Sequence, residues 1–243
     1  MAGNRIHVGT SGWTYDDWKG RFYPAGVKSA DRLDYYAQRF DTVEVNATFY
    51  RLPNRAMIAS WNRRLPEGFR LVLKGSRLIT HTRRLHDCED ALRTFLERAR
   101  ELHRLKVILW QLPPTLQRDL PLLEAFLKRL PAWVSHAVEF RHESWWDDAV
   151  AKLLAGHGTA FVSVSHPRLP AAVIPTASFL YVRFHGLGQR LYDYRYSASE
   201  LSDWVQRITP HLRRRELYAF FNNDYRAQAP DNATSFRTLL TGQ

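Results

Sequence analysis

Residues 137–146 read AVEFRHESWW. The stretch begins as an apolar strand and ends in charge and indole. Side chains alternate along a strand, so Ala137, Glu139 and Arg141 share one face while Val138 and Phe140 share the other. One face is apolar; the opposite one sets a carboxylate beside a guanidinium at the strand's end. Burying such charges is costly unless they are paired or used.

The same pattern recurs along the chain. In TVEVN (42–46), Glu44 and Asn46 share a face. FRLVLK (69–74) ends on Lys74, and KVILWQ (106–111) ends on Gln111. In FLYVRFHG (179–186), Arg183 and His185 share a face, and ELYAFFNN (216–223) ends on Asn222 and Asn223. With HAVEFR, six strand-like runs carry polar groups on one side of their C-terminal ends. Including RIHVGT and TAFVSVS, there are eight such runs. Seven are followed by a helix-like stretch, as in NRAMIASWNRRL and ASELSDWVQRITPHLRRR. Ser29 is the expected N-cap of the first helix. The sixth unit differs: after TAFVSVS the Pro-rich HPRLPAAVIP predicts a short or irregular helix.

Alternating strands and helices predict a parallel sheet, and eight units in 243 residues fit one (β/α)8 TIM barrel spanning 1–243. An open doubly wound sheet is the alternative. It favours a glycine-rich turn after the first strand, where this chain has VGTSGW rather than GxGxxG. In a barrel the polar strand ends ring the C-terminal mouth, where such folds keep their sites.

Composition narrows the partners. A formal net charge of +11 favours anionic ligands, including nucleic acid, unless it merely solvates helix faces. One cysteine, Cys88, excludes an internal disulfide and suits a reducing compartment. With no leader-like start and no apolar run of membrane-spanning length, the expectation is a cytoplasmic protein without membrane partners. The sequence carries no signature of an oligomeric state.

The motifs GTSGWTYDDWKGRFYP, FDTVEVNATFYRLP, LKGSRLITH, QLPP, AVEFRHESWW, YVRFHG and FNND together resemble the YecE-like family, domain of unknown function 72. They follow in order over nearly the whole chain. The resemblance implies a (β/α)8 barrel broadly similar to sugar-isomerase and endonuclease IV barrels, and brings no settled activity. Its motif positions fall on Glu44, Asn46, Lys74, His81, Gln111, Glu139, Arg141, Trp145, Arg183, His185, Asn222 and Asn223. Many members carry an aspartate near VSVSHPR, where this chain has Ser163, Ser165 and His166.

Lys74, Arg141, Arg183 and His185 outnumber Glu44 and Glu139, which points to an anionic ligand. The expectation is metal-independent acid–base chemistry on a phosphate-bearing molecule. Glu44, Glu139, His185 and Lys74 would be catalytic. Asn46, Gln111, Arg141, Trp145, Arg183, Asn222 and Asn223 would bind. No metal or other cofactor is expected, since HxxxH and CxxC spacings are absent. Three alternatives stand beside it. One is a nucleic-acid binder, with or without nuclease action, using the basic charge and the mouth aromatics. Another is a metal-dependent enzyme of the sugar-isomerase or endonuclease IV kind. The third is a purely structural ion-pair layer closing the barrel.

Overall fold

The computed structural model describes residues 5–242. The chain runs β1 (Ile6–Thr10), α1 (Arg32–Ala37), β2 (Thr42–Val45), α2 (Ala47–Tyr50), α3 (Arg55–Arg64), β3 (Arg70–Lys74), α4 (Glu89–Arg100) and β4 (Leu105–Gln111). It continues α5 (Leu120–Leu127), β5 (Ser135–Glu139), α6 (Asp148–Gly156), β6 (Ala160–Ser165), β7 (Phe179–Phe184), α7 (Ala198–Ile208), β8 (Glu216–Phe221) and α8 (Gln228–Thr241). The eight strands form one parallel sheet in which each neighbour follows in sequence and β1 pairs with β8. The result is the (β/α)8 barrel, not the open doubly wound sheet.

Closure is thinnest between β1 and β2, which meet in a single bridge from Ser11 to Glu44. A side chain completes the seam. The Thr10 amide donates to the Tyr36 hydroxyl at 2.9 Å, and that hydroxyl donates to the Thr42 carbonyl at 3.0 Å. Tyr36 thus supplies the hydrogen bonds that a ladder would otherwise make for buried backbone groups. The strands approach so closely here that a Cβ on Gly9 would lie 2.3 Å from the Thr42 oxygen.

Period-two alternation sorts the strand residues into two cores. Val72, Val107, Leu109, Ala137, Val162, Tyr181 and Phe220 fill the barrel interior. Val8, Val43, Leu73, Ile108, Val138, Val182 and Phe221 pack outward beneath the helices. The inward set is apolar in the middle and polar at both ends: His7, Arg70, Tyr218 and Glu216 close the bottom, and a second polar layer forms at the C-terminal ends.

Side-chain caps mark the starts of four of the eight helices. Asn54 accepts from the Met57 amide, Asp119 from Leu122 and Asp147 from Ala149, while Ser197 and Glu200 form a reciprocal capping box. Ser29 does not cap: it opens a short 3-10 turn, Ser29–Asp31, that leads into α1, and makes no side-chain cap bond. The sixth unit has no helix at all. Pro167, Pro170 and Pro175 deny the backbone donors a helix needs. The segment is instead tied to β6 by Thr176, whose hydroxyl donates to the Thr159 carbonyl and accepts from the Phe161 amide.

The seam yields a prediction. Gly9→Ala forces a methyl into the Thr42 carbonyl and should destabilise the fold by about 2–3 kcal/mol, lowering Tm by roughly 4–12 °C. A thermal melt with Tm unchanged would show that the seam relaxes freely.

Candidate functional site

The inward faces of β2, β3, β4, β5 and β7 deliver polar groups to the mouth end of the barrel. Gln111 lies beside Glu139 in the β4–β5 pairing. Arg183 rises from β7, with Glu44 arriving from β2. Beyond the strand ends, Arg141 and His185 continue the same faces.

At the floor, six buried side chains and the partly buried Arg141 form one network. Arg183 donates through Nη1 to Glu139 at 2.6 Å and through Nη2 to Glu44 at 2.6 Å. All three side chains have no exposed surface. Glu44 also accepts from the Ser11 hydroxyl at 2.7 Å and from the Tyr181 hydroxyl at 2.6 Å. Glu139 also pairs with Arg141 Nε and lies 3.3 Å from His185 Nε2. Every carboxylate oxygen is therefore engaged. Burial alone would raise the Glu139 pKa, but the Arg141 and Arg183 guanidiniums outweigh it and hold the carboxyl well below its usual 4.5. Burial, reinforced by Arg141, depresses His185 well below 6.5 and keeps the imidazole neutral. The neutral ring lies between Arg141 Nη2, 2.9 Å from its Nε2, and the Asn222 amide nitrogen, 3.2 Å from its Nδ1.

Two carboxylates thus meet two guanidiniums, and the floor is balanced in charge. The excess of positive charge expected from the sequence lies one layer higher, around a cavity of about 790 Å³. Lys74, Arg77, Arg141 and Arg168 line it against one carboxylate, Glu143, with Gln111, His81, His166, Tyr50 and Tyr192 completing the walls. Lys74 Nζ lies over the Phe49 ring, 4.3 Å from its centroid. Burial and the Arg183 charge lower its pKa to about 7. His81 and His166 are each pushed down to about 4, by burial and then by Lys74 and Arg141 respectively, so both are neutral at pH 7.

The imidazoles have assignable tautomers. Thr80 donates its hydroxyl to the Ser76 carbonyl and so accepts from His81 Nδ1 at 2.9 Å. His81 Nε2 keeps its lone pair beside the Gln111 amide, 3.5 Å away. His166 Nδ1 accepts the Arg168 amide at 3.1 Å and leaves its proton on Nε2. His81 is presented by a single π-helical turn, Leu78–Thr82, inserted after β3. Such turns are frequent at sites.

Several expected positions move. Trp145 is fully buried, stacked on Phe140 at 4.5 Å, and donates its indole N–H to the Leu116 carbonyl. Packing, not ligand contact, explains it. Arg183 has both terminal nitrogens committed to carboxylates. Asn223 is buried and donates to the Tyr194 carbonyl and to Asn232, bracing the loop after β7. Asn46 donates weakly to Ser11 and Asn222 and lines a neighbouring cavity with Trp13 and Tyr50. Glu44 and Glu139 do not face each other across an open barrel: one guanidinium joins them. Arg77, Arg168, Tyr181 and Ser11 were not anticipated. Tyr181 was readable, since it shares the inward face two residues before Arg183. Arg168 was not, because it leaves an irregular segment with no period.

Among the described residues, no group of three or more His, Cys, Asp and Glu side chains is arranged to hold a metal ion. No helix among them is long and apolar enough to cross a membrane.

Two stability predictions follow from these charges. Arg183→Met strands Glu44 and Glu139 without compensation and should cost about 3–5 kcal/mol in urea unfolding. Adding Glu44→Gln should recover part of it; no recovery would show that lost packing, not charge, dominates. Lys74 has the opposite sign. Its folded pKa of about 7 lies below its unfolded value near 10.5, so between those values the unfolded chain holds more protons and stability rises with pH. At pH 7 the buried amine is a cost, and Lys74→Met should raise stability by roughly 1–3 kcal/mol. A drop in Tm for that variant would mean that the amine is well solvated.

Comparison with known proteins agrees with this geometry. A family profile described as "Protein of unknown function DUF72" matches residues 7–243. The chain is 27% identical to the UPF0759 protein YecE of Escherichia coli K12, over 93% of this chain and 89% of that one. It is 24% identical to the UPF0759 protein YunF of Bacillus subtilis, over 97% and 94%. The crystal structure of a DUF72 protein from Thermotoga maritima superposes with a TM-score of 0.89 at 33% identity, covering 98% of this chain and 99% of that one. A barrel that shares its profile, its chain-long relatives and its solved fold with these proteins belongs to the DUF72 family.

Proposed function

We propose that the mouth binds a small phosphate-bearing anion and performs metal-independent acid–base chemistry on it. The observation that carries the reading is the charge of the cavity wall. Lys74, Arg77 and Arg168 meet one carboxylate there, while the two carboxylates beneath are paired with Arg141 and Arg183. Arg141 spends Nε and Nη2 on the floor, leaving Nη1 without a hydrogen bond to the described residues. Arg77 and Arg168 are exposed and serve as the mobile part of the clamp. A guanidinium fork suits a phosphate better than a point charge does.

The catalytic assignments shift with the geometry. Glu44 and Glu139 hold the arginines in place, and His185 orients Arg141. Proton transfer falls to Lys74, which is poised near neutrality, with His81 and His166 beside it. The floor disfavours a metal-dependent reading, because a cation there would compete with Arg183, Arg141 and Tyr181 for the same four oxygens.

A second reading, nucleic-acid binding, draws on Tyr50. This ring is 79% exposed at the edge of the cavity, next to the basic rim, and offers a face for stacking.

Calorimetric titration separates the two. Inorganic phosphate, sugar phosphates and oligonucleotides would be titrated at low and physiological salt into wild type and Arg168→Ala. Saturable binding of small phosphates that survives physiological salt and weakens roughly tenfold in the variant is expected. Oligonucleotide binding alone, collapsing with salt equally in both proteins, would overturn the small-anion reading.

A further inference from the structure

We infer that Lys74 is a nucleophile whose ε-amine forms a Schiff base with the aldehyde or ketone carbonyl of a phosphate-bearing substrate held in the mouth. This deepens, and rests on, the anionic-ligand reading above.

Placement comes first. The chain has six lysines; Lys19, Lys28, Lys106, Lys128 and Lys152 are exposed, and Lys74 alone lines the mouth cavity. It ends β3, and its carbonyl accepts the Thr48 hydroxyl at 2.7 Å, which pins the strand end. A lysine kept only for charge is ordinarily given a carboxylate. This one forms no ion pair with the described residues: Glu44 and Glu139 are already taken by Arg183 and Arg141. It faces an aromatic ring instead, with guanidiniums nearby. Those surroundings favour the neutral amine, which is the form that attacks carbonyl carbon.

A candidate proton carrier stands in the same wall. His81 packs edge-on against the same Phe49 ring that lies under Lys74, at 4.9 Å between centroids. Its Nε2 lone pair can take a proton from the attacking nitrogen and return it to the departing oxygen. The amine adds to the carbonyl carbon, forming the C–N bond, and the oxygen is protonated to a carbinolamine. The nitrogen lone pair then closes C=N as the hydroxyl, taking one further proton, leaves as water. One carbonyl, one amine and one proton become one iminium and one water. Arg141, Arg168 and Arg77 would hold the phosphate, and no redox partner is required.

Pyridoxal 5′-phosphate, used as a substoichiometric probe, carries both an aldehyde and a phosphate. The full chain would be treated with it, reduced with borohydride and mapped by peptide mass. Adduct on Lys74 at roughly tenfold or more over each exposed lysine is expected, since burial and the neighbouring guanidiniums favour its neutral, nucleophilic form. Inorganic phosphate should protect it, pyridoxal lacking the phosphate should label it less, and Lys74→Arg should abolish that adduct while leaving the other five unchanged. Labelling spread over the surface lysines, with Lys74 no more reactive than they are, would overturn the proposal. Phosphate binding seen by calorimetry without a Lys74 adduct would sink the nucleophile and spare the anion site. A Lys74 adduct indifferent to phosphate would do the reverse.

Discussion

One guanidinium holds the mouth of this barrel together. Arg183, on β7, reaches Glu139 on β5 and Glu44 on β2, and each of these carboxylates ties in further groups. Glu44 collects Ser11 and Tyr181; Glu139 collects Arg141 and His185. Three charges without solvent are tolerable only because every carboxylate oxygen has a donor. Glu44 and Ser11 also form the bridge across the β1–β2 seam, the thinnest part of the closure. The charge network therefore positions strands as well as side chains, in the layer where the apolar filling of the interior gives way to the mouth.

What lies above follows from that balance. With Glu44 and Glu139 paired to Arg183 and Arg141 below, the next layer has only Glu143 to set against Lys74, Arg77 and Arg168, and the neutral imidazoles of His81 and His166 fill the space between. A ligand that brings negative charge would complete the layer. The fold itself does not choose the chemistry, since one barrel architecture hosts many reactions. The choice rests on which groups remain unpaired once the floor is built. That criterion selects Lys74 and the rim arginines over the buried glutamates.

Reading by period went furthest where the backbone is regular. Glu44, Lys74, Gln111, Glu139, Arg141, Arg183 and His185 were all placed on inward faces by simple alternation, and the structure gathers them at one end of the barrel. The same rule extended two residues back from Arg183 reaches Tyr181. It fails at Trp145, Arg168 and His81, which sit on a 3-10 turn, a Pro-rich connector and a π-helical turn. There the direction of a side chain is set by contacts, not by a repeat. Ser29 shows the same limit at a helix start: a good capping residue was bypassed when the chain took a 3-10 entry to α1.

By itself, the sequence determined the eight strands, the parallel barrel, the irregularity of the sixth unit and the polar groups at the strands' C-terminal ends. These depend on local periodicity and on proline, which act within a few residues. Only the tertiary structure decided which charges neutralise one another. Arg183 and Glu44 are 139 positions apart, and whether an arginine binds a ligand or a carboxylate turns on distances of a few ångströms between strands, which no local pattern encodes.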